Sequence, residues 1–130
     1  MDLKKTISYL KKFVKRRPIV CIILGSGLDN FTNNISDKIT IPYNEIPTFY
    51  QTSVKGHEGE FIYGAIDGIP VLCAKGRFHY YEGYSFKQVG SLIEIFNHFN
   101  PKLSIITNSS GCLNINWDIG SLMISNEIID

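Results

Sequence analysis

Two kinds of apolar pattern take turns along the chain. Leu3, Ile7, Leu10 and Val14 recur at helical spacing with lysines in the gaps, which predicts an amphipathic surface helix stopped by Pro18. IVCIIL (19–24) is a short unbroken apolar run, the pattern of a strand buried on both faces. A glycine turn, GSGL (25–28), and a polar stretch rich in Asn separate it from DKITIPY (37–43), a short strand ended by proline. FIYGAI (61–66) and VLCAK (71–75) flank Asp67-Gly68, a hairpin-type turn, so these runs are expected to be antiparallel neighbours. From Ser85 to Phe99 the chain places Phe86, Val89, Leu92, Ile93, Phe96 and Phe99 on one broad helical face. Ser85 is the expected N-cap, and Pro101 lies just past the end. LSIIT (103–107) predicts another buried strand, and LMISNEIID (122–130) a last one. Repeats, low-complexity stretches and linkers are absent. Helices and a hairpin mixed around apolar strands predict a single α/β domain over 1–130, with a mixed central sheet flanked by helices.

Composition removes several classes. A hydrophobic fraction of 44% against 19% charged residues belongs to a soluble globular chain, which sets disorder aside. A net charge of +1 offers no electrostatic footprint for nucleic acid, so no nucleic-acid partner is expected. No apolar run approaches the ~20 residues that cross a bilayer. The N-terminal MDLKKTISYLKKFVKRR is basic but lacks the apolar centre and cleavage site of a secretory signal. A basic membrane-binding helix is the sharper reading of that segment, and its narrow apolar stripe weighs against it. Cys21, Cys73 and Cys112 are odd in number, far apart and without metal-ligand spacing. Free thiols, no disulfide, no metal and a cytoplasmic setting are the expectation.

Ligands of α/β sheets bind at the carboxyl ends of strands. Three polar clusters fall there. Gly25-Ser26-Gly27 follows the first strand, Gly76-Arg77-Phe78-His79 follows VLCAK, and Asn108-Ser109-Ser110-Gly111 follows LSIIT. Hydroxyls, backbone N–H groups in glycine turns and a guanidinium that binds two oxygens at once all suit an oxyanion. A dinucleotide fingerprint is the rival reading of GSGL, but it needs a third glycine where Asn30 stands, and no acidic partner follows a second strand. A ligand-free strand-to-helix turn is the plain alternative.

The blocks ILGSGL (23–28), EIPTF (45–49), VKGHEGEFIYG (54–64), KGRFHYYEGY (75–84), ITNSSGCLN (106–114) and DIGSLMISNEIID (118–130) resemble trimeric purine nucleoside phosphorylases, in the family's order and spacing. GRFHYYEGY with an upstream GHEG is specific, because secondary structure dictates neither block. The resemblance implies that Ser26 binds phosphate through its hydroxyl and the turn's amides. It implies that Arg77 and His79 grip other phosphate oxygens, and that the backbone N–H of Ser109 closes the cradle. Tyr81 would contact the ribose, and His57 would lie on a loop near phosphate. The implied reaction is phosphorolysis of purine nucleosides to the free base and ribose 1-phosphate by a cytoplasmic homotrimer, with inorganic phosphate as co-substrate and no cofactor. Glu58 and Glu82 lie inside matched blocks without an assigned role, Tyr80 and Tyr84 are read as packing aromatics, and His98 as a solvated cation at a helix end.

Two departures stand out. Ser109, Ser110 and Cys112 occupy positions where the family usually has small residues, and Cys112 replaces a frequent glycine, which would crowd the turn if that position needs positive φ. The resemblance also covers only the N-terminal half of the family's subunit, without the purine-recognising glutamate and asparagine. A fragment, a split gene product or a truncated form is therefore expected, with a non-catalytic phosphate- or nucleoside-binding remnant as the alternative function.

Overall fold

The computed structural model describes residues 1–51 and 59–128. In chain order the elements are α1 (Leu3–Leu10), β1 (Val20–Leu24), β2 (Ser36–Pro42), β3 (Glu60–Ile66), β4 (Ile69–Lys75), α2 (Phe86–Val89), α3 (Ser91–Phe99) and β5 (Leu103–Ile106). The five strands form one mixed sheet in the order β2-β3-β4-β1-β5. β1 runs parallel to both β4 and β5, whereas β2, β3 and β4 form an antiparallel meander. The α/β class with a mixed central sheet follows directly.

Alternation along β1 sorts the core. Cys21 and Ile23 face one side with Phe61, Leu72 and Ala74, and there they meet Ile7 and Leu10 of α1 and Leu92, Ile95, Phe96 and Phe99 of α3. Ile22 and Leu24 face the other side, in a smaller cluster with Ile35, Ile62, Val71 and Cys73. Both long helices therefore cover the same face of the sheet. The Asp67-Gly68 hairpin forms as predicted, with φ of 49° and 77°, the positive values a two-residue turn of this kind requires. Among the described residues no helix is long and apolar enough to cross a membrane.

Four expectations are corrected. The helix predicted over 85–99 breaks at Gly90 into α2 and α3. Ser85 caps α2 in a reciprocal box with Gln88, as the sequence predicts. The break leaves Phe86 77% exposed and stacked on Tyr80 at 4.6 Å, outside the core. α1 ends at Leu10 rather than reaching Pro18, yet Val14 still buries its side chain (7% exposed) because a turn carries the chain on against the core. β5 forms, but as an exposed edge strand and not a buried one: Leu103 is 52% and Ile106 59% exposed. Finally, described residues 122–128 form no strand, and Leu122, Ile124 and Ile128 are almost fully exposed. An apolar run becomes a strand only where a neighbouring strand offers it a ladder, and this segment pairs with none.

Candidate functional site: three turns at one sheet edge

Because β1 is parallel to β4 and β5, the carboxyl ends of all three reach the same edge of the sheet. The three polar clusters read from the sequence thus meet in space. The β1 turn is closed by the Leu28 N–H donating to the Gly25 carbonyl at 3.2 Å, and its third residue, Gly27, has φ +85°. Glycine adopts that conformation without strain, so Ser26 is presented at the apex of a tight turn, exposed.

Thr107 fastens the β1 and β5 ends together. Its hydroxyl donates to the Ile23 carbonyl at 3.0 Å and accepts from the Gly25 N–H at 2.8 Å. Gly25 is there for a steric reason: a Cβ would lie 2.7 Å from the Thr107 carbonyl oxygen and 2.9 Å from the Asn108 Cα. Just beyond, the Asn108 side-chain amide donates to the Ser110 hydroxyl at 2.7 Å, shaping the loop that carries Ser109. Cys112 does not adopt positive φ, so the crowding expected from replacing glycine does not arise.

The β4 turn supplies the charge. Gly76, at φ +85°, lets the chain bend within 3.0 Å of the Gly59 Cα, measured from where a Cβ would stand. The buried Tyr43 phenol donates to the Gly76 carbonyl at 2.9 Å and holds the bend. Burial raises the Tyr43 pKa well above 10, so that phenol keeps its proton. Half-buried Arg77 then donates from Nη1 to the Thr107 carbonyl at 3.0 Å, tying the third turn to the other two. Its Nε donates to His79 Nε2 at 3.0 Å. Those bonds use two of the five guanidinium donors.

His79 is fixed from the far side. Glu82 Oε2 lies 3.1 Å from His79 Nδ1 and accepts from the His79 backbone N–H at 3.1 Å. With Nε2 accepting from Arg77, the ring proton is assigned to Nδ1, facing the carboxylate. Tyr81 stacks on the same imidazole, centroids 4.8 Å apart and planes 22° from parallel, with its outer face open to solvent (82% exposed). A cation, an oriented imidazole, a Ser-bearing glycine turn and an amide-bearing loop share one edge. Chemically, these are groups of the kind that suit a tetrahedral oxyanion, set beside an aromatic face. Among the described residues no group of three or more His, Cys, Asp or Glu is placed to hold a metal ion.

Of the residues singled out in the sequence, Ser26, Arg77, His79, Ser109 and Tyr81 all lie on this edge or directly against it, and His57 lies outside the described residues. Sequence reasoning missed Thr107 and left Glu82 without a role. The offset of three residues between His79 and Glu82, just ahead of Gly83 in the left-handed conformation, is the signal of a one-turn capping box that would have found the second.

Residues 19–130 match the profile of the phosphorylase superfamily, and the chain belongs to that family. It is 35% identical to a rat purine nucleoside phosphorylase over 129 residues, covering 99% of this chain and 45% of the rat protein. It is 37% identical to purine nucleoside phosphorylase 1 of Geobacillus stearothermophilus, covering 98% and 47% respectively. In structure it matches a purine nucleoside phosphorylase in complex with ribose 1-phosphate, with a TM-score of 0.83 and 39% identity over 92% of this chain and 44% of that one. A Schistosoma mansoni purine nucleoside phosphorylase in complex with inosine matches with a TM-score of 0.81 and 40% identity over 91% and 41%. The chain therefore spans about half the length of the relatives it matches.

Proposed function

We propose that this chain supplies the phosphate-binding part of a purine nucleoside phosphorylase, a pentosyltransferase that converts purine (deoxy)nucleosides and inorganic phosphate reversibly to the free base and (deoxy)ribose 1-phosphate. The observation that carries this reading is the convergence of three oxyanion-suited turns on Thr107 and Arg77. Relatives solved with ribose 1-phosphate and with inosine support it. In the reaction a phosphate oxygen forms a bond to C1′ of the ribose as the glycosidic C–N bond breaks, and the electron pair leaves with the base. The ribose becomes oxocarbenium-like, so positioning and charge stabilisation carry most of the catalysis.

Arg77 holds phosphate oxygens with the guanidinium donors it has left. His79, whose ring nitrogens are engaged by Arg77 and Glu82, orients that guanidinium, and it binds a phosphate oxygen directly only where Nε2 releases Arg77. The Ser26 turn and the Ser109 amide complete the cradle, and Tyr81 meets the ribose. His57, outside the described residues, remains a proposed contact. The reading includes a homotrimer in the cytoplasm, 1–130 as the N-terminal part of one phosphorylase domain, and phosphate as co-substrate without metal or organic cofactor.

The test is a titration of the 130-residue chain with inorganic phosphate and with ribose 1-phosphate, followed by amide NMR. Saturable shifts at Ser26, Arg77, His79 and Ser109, abolished in Arg77→Ala, are expected; an unmoved spectrum refutes the cradle. The partial coverage of the relatives keeps a second reading in view, a non-catalytic remnant that binds the same ligands. The nucleotide sequence past codon 130 separates the two: a frame continuing into the rest of the family's sequence selects the enzyme, and an immediate stop selects the remnant.

A further inference from the structure

Seven of the chain's 13 lysines and arginines fall in its first 17 residues, MDLKKTISYLKKFVKRR, beside one acid, Asp2. The rest of the chain holds six cations against eleven acids. The near-neutral total conceals a strongly cationic N-terminal segment and an acidic remainder. All seven N-terminal cations are exposed. Among the described residues the one ion pair in this segment is Lys5–Asp2, 3.7 Å apart on the surface. A shallow depression lined by Lys4, Lys5, Tyr9, Lys12 and Pro47 runs along the outer side of α1.

We infer that this segment docks the protein reversibly on an anionic membrane surface, with lipid headgroup phosphates and carboxylates as its ligands. Clusters of four to eight lysines and arginines on an amphipathic helix have that affinity; here Lys4 and Lys5 lie on α1 and the other five cations follow within seven residues of its end. Docking is by charge alone, because Ile7, Leu10 and Val14, the residues an inserting helix would bury in lipid, are committed to the protein core. Single-stranded nucleic acid fits less well. It needs an open aromatic face for its bases, and the Tyr9 ring is already engaged by Lys12, 5.2 Å from its centroid, and by Phe13 at 5.4 Å. The acidic remainder is repelled by the same surface, which turns the N-terminal segment towards it.

The experiment is sedimentation of the 130-residue chain with phosphatidylcholine vesicles, with and without roughly a third phosphatidylserine. Binding to the anionic vesicles only is expected, and it weakens steeply as ionic strength rises from ~0.05 to ~0.5 M. Each cation near such a surface strengthens adsorption roughly fivefold. The double variant Lys4→Gln, Lys12→Gln therefore loses roughly 30-fold in affinity, and the exposed control pair Lys38→Gln, Lys87→Gln retains it. Equal binding to neutral vesicles, no binding to anionic ones, or equal losses in the two double variants overturns the inference. So does binding of a single-stranded oligonucleotide in the absence of vesicle binding.

Discussion

Arg77 brings formal charge to the proposed cradle and also bridges to the β5 end through the Thr107 carbonyl. In the active enzyme, Arg77→Ala is expected to raise the phosphate requirement and lower turnover by ~10²-fold or more, the worth of one preorganised donor. Unchanged phosphate dependence in steady-state kinetics would remove Arg77 from the site. Ser109→Ala is expected to be nearly silent, since the proposed ligand is the backbone amide; a large loss in the same assay contradicts that assignment. Glu82 acts through His79. Glu82→Gln keeps the shape but removes the carboxylate facing Nδ1, so phosphate binding should weaken, by less than in Arg77→Ala, while the denaturation midpoint stays near wild type. Unchanged phosphate binding in Glu82→Gln would leave Glu82 a purely structural cap.

At the scale of elements, the site depends on two strand ends being closer than ordinary residues permit. Gly25→Ala places a methyl group 2.7 Å from the Thr107 oxygen, and backbone cannot move aside cheaply there. A loss of about 1–3 kcal/mol in denaturant unfolding, together with weakened phosphate binding, is the expected result. Wild-type stability in that variant would show that the β1 and β5 ends are not held as described. The strands also bury two thiols. Burial raises Cys21 and Cys73 from their ordinary value near 9 to about 12, whereas Cys112 is exposed. Brief alkylation at pH 8 without reductant should label Cys112 alone, and all three after denaturation, read by intact mass. The folded state holds those two protons more tightly than the unfolded state, so the thiols favour folding fully below pH 9, and that contribution fades between pH 9 and 12. Thermal melts across that window should fall as pH rises.

For the whole molecule, the proposed phosphate cradle is only part of what a phosphorylase needs. In phosphorolysis negative charge grows on the departing base, and an acid or donor must meet it, whereas the residues assembled at this edge are proposed to serve the phosphate and the ribose. Lacking a general acid costs ~10²–10⁴-fold by itself. The 130-residue chain incubated with inosine and phosphate is therefore expected to release base far below ~1 s⁻¹; turnover at that rate shows that this half suffices. The exposed edge of β5 and the apolar residues Leu113, Ile115, Leu122 and Ile124 are also expected to promote self-association. Light scattering against protein concentration measures this, and a monomer at all concentrations contradicts it.

What the sequence determined by itself is whatever depends on near neighbours. The α1 stripe, the Ser85 cap, the Asp67-Gly68 hairpin and the first strand all follow from periodicity and turn chemistry within a few residues, and they form where predicted, save that α1 stops at Leu10, ahead of Val14. The candidate site residues stood out in the sequence because neither a strand nor a long helix calls for the arginine, histidine and tyrosines of GRFHYYEGY. Pairing and proximity were decided only by the tertiary structure. LSIIT and LMISNEIID have the same apolar character, yet one becomes an edge strand because β1 offers it a ladder, and described residues 122–128 remain outside the sheet. Thr107 looks in sequence like the end of a strand. It becomes the link between three turns only because parallel pairing with β1 brings Gly25 and Arg77 to it across 82 and 30 residues of chain. Contacts at that separation leave no local pattern, because loop closure and sheet register, not neighbouring side chains, bring them about.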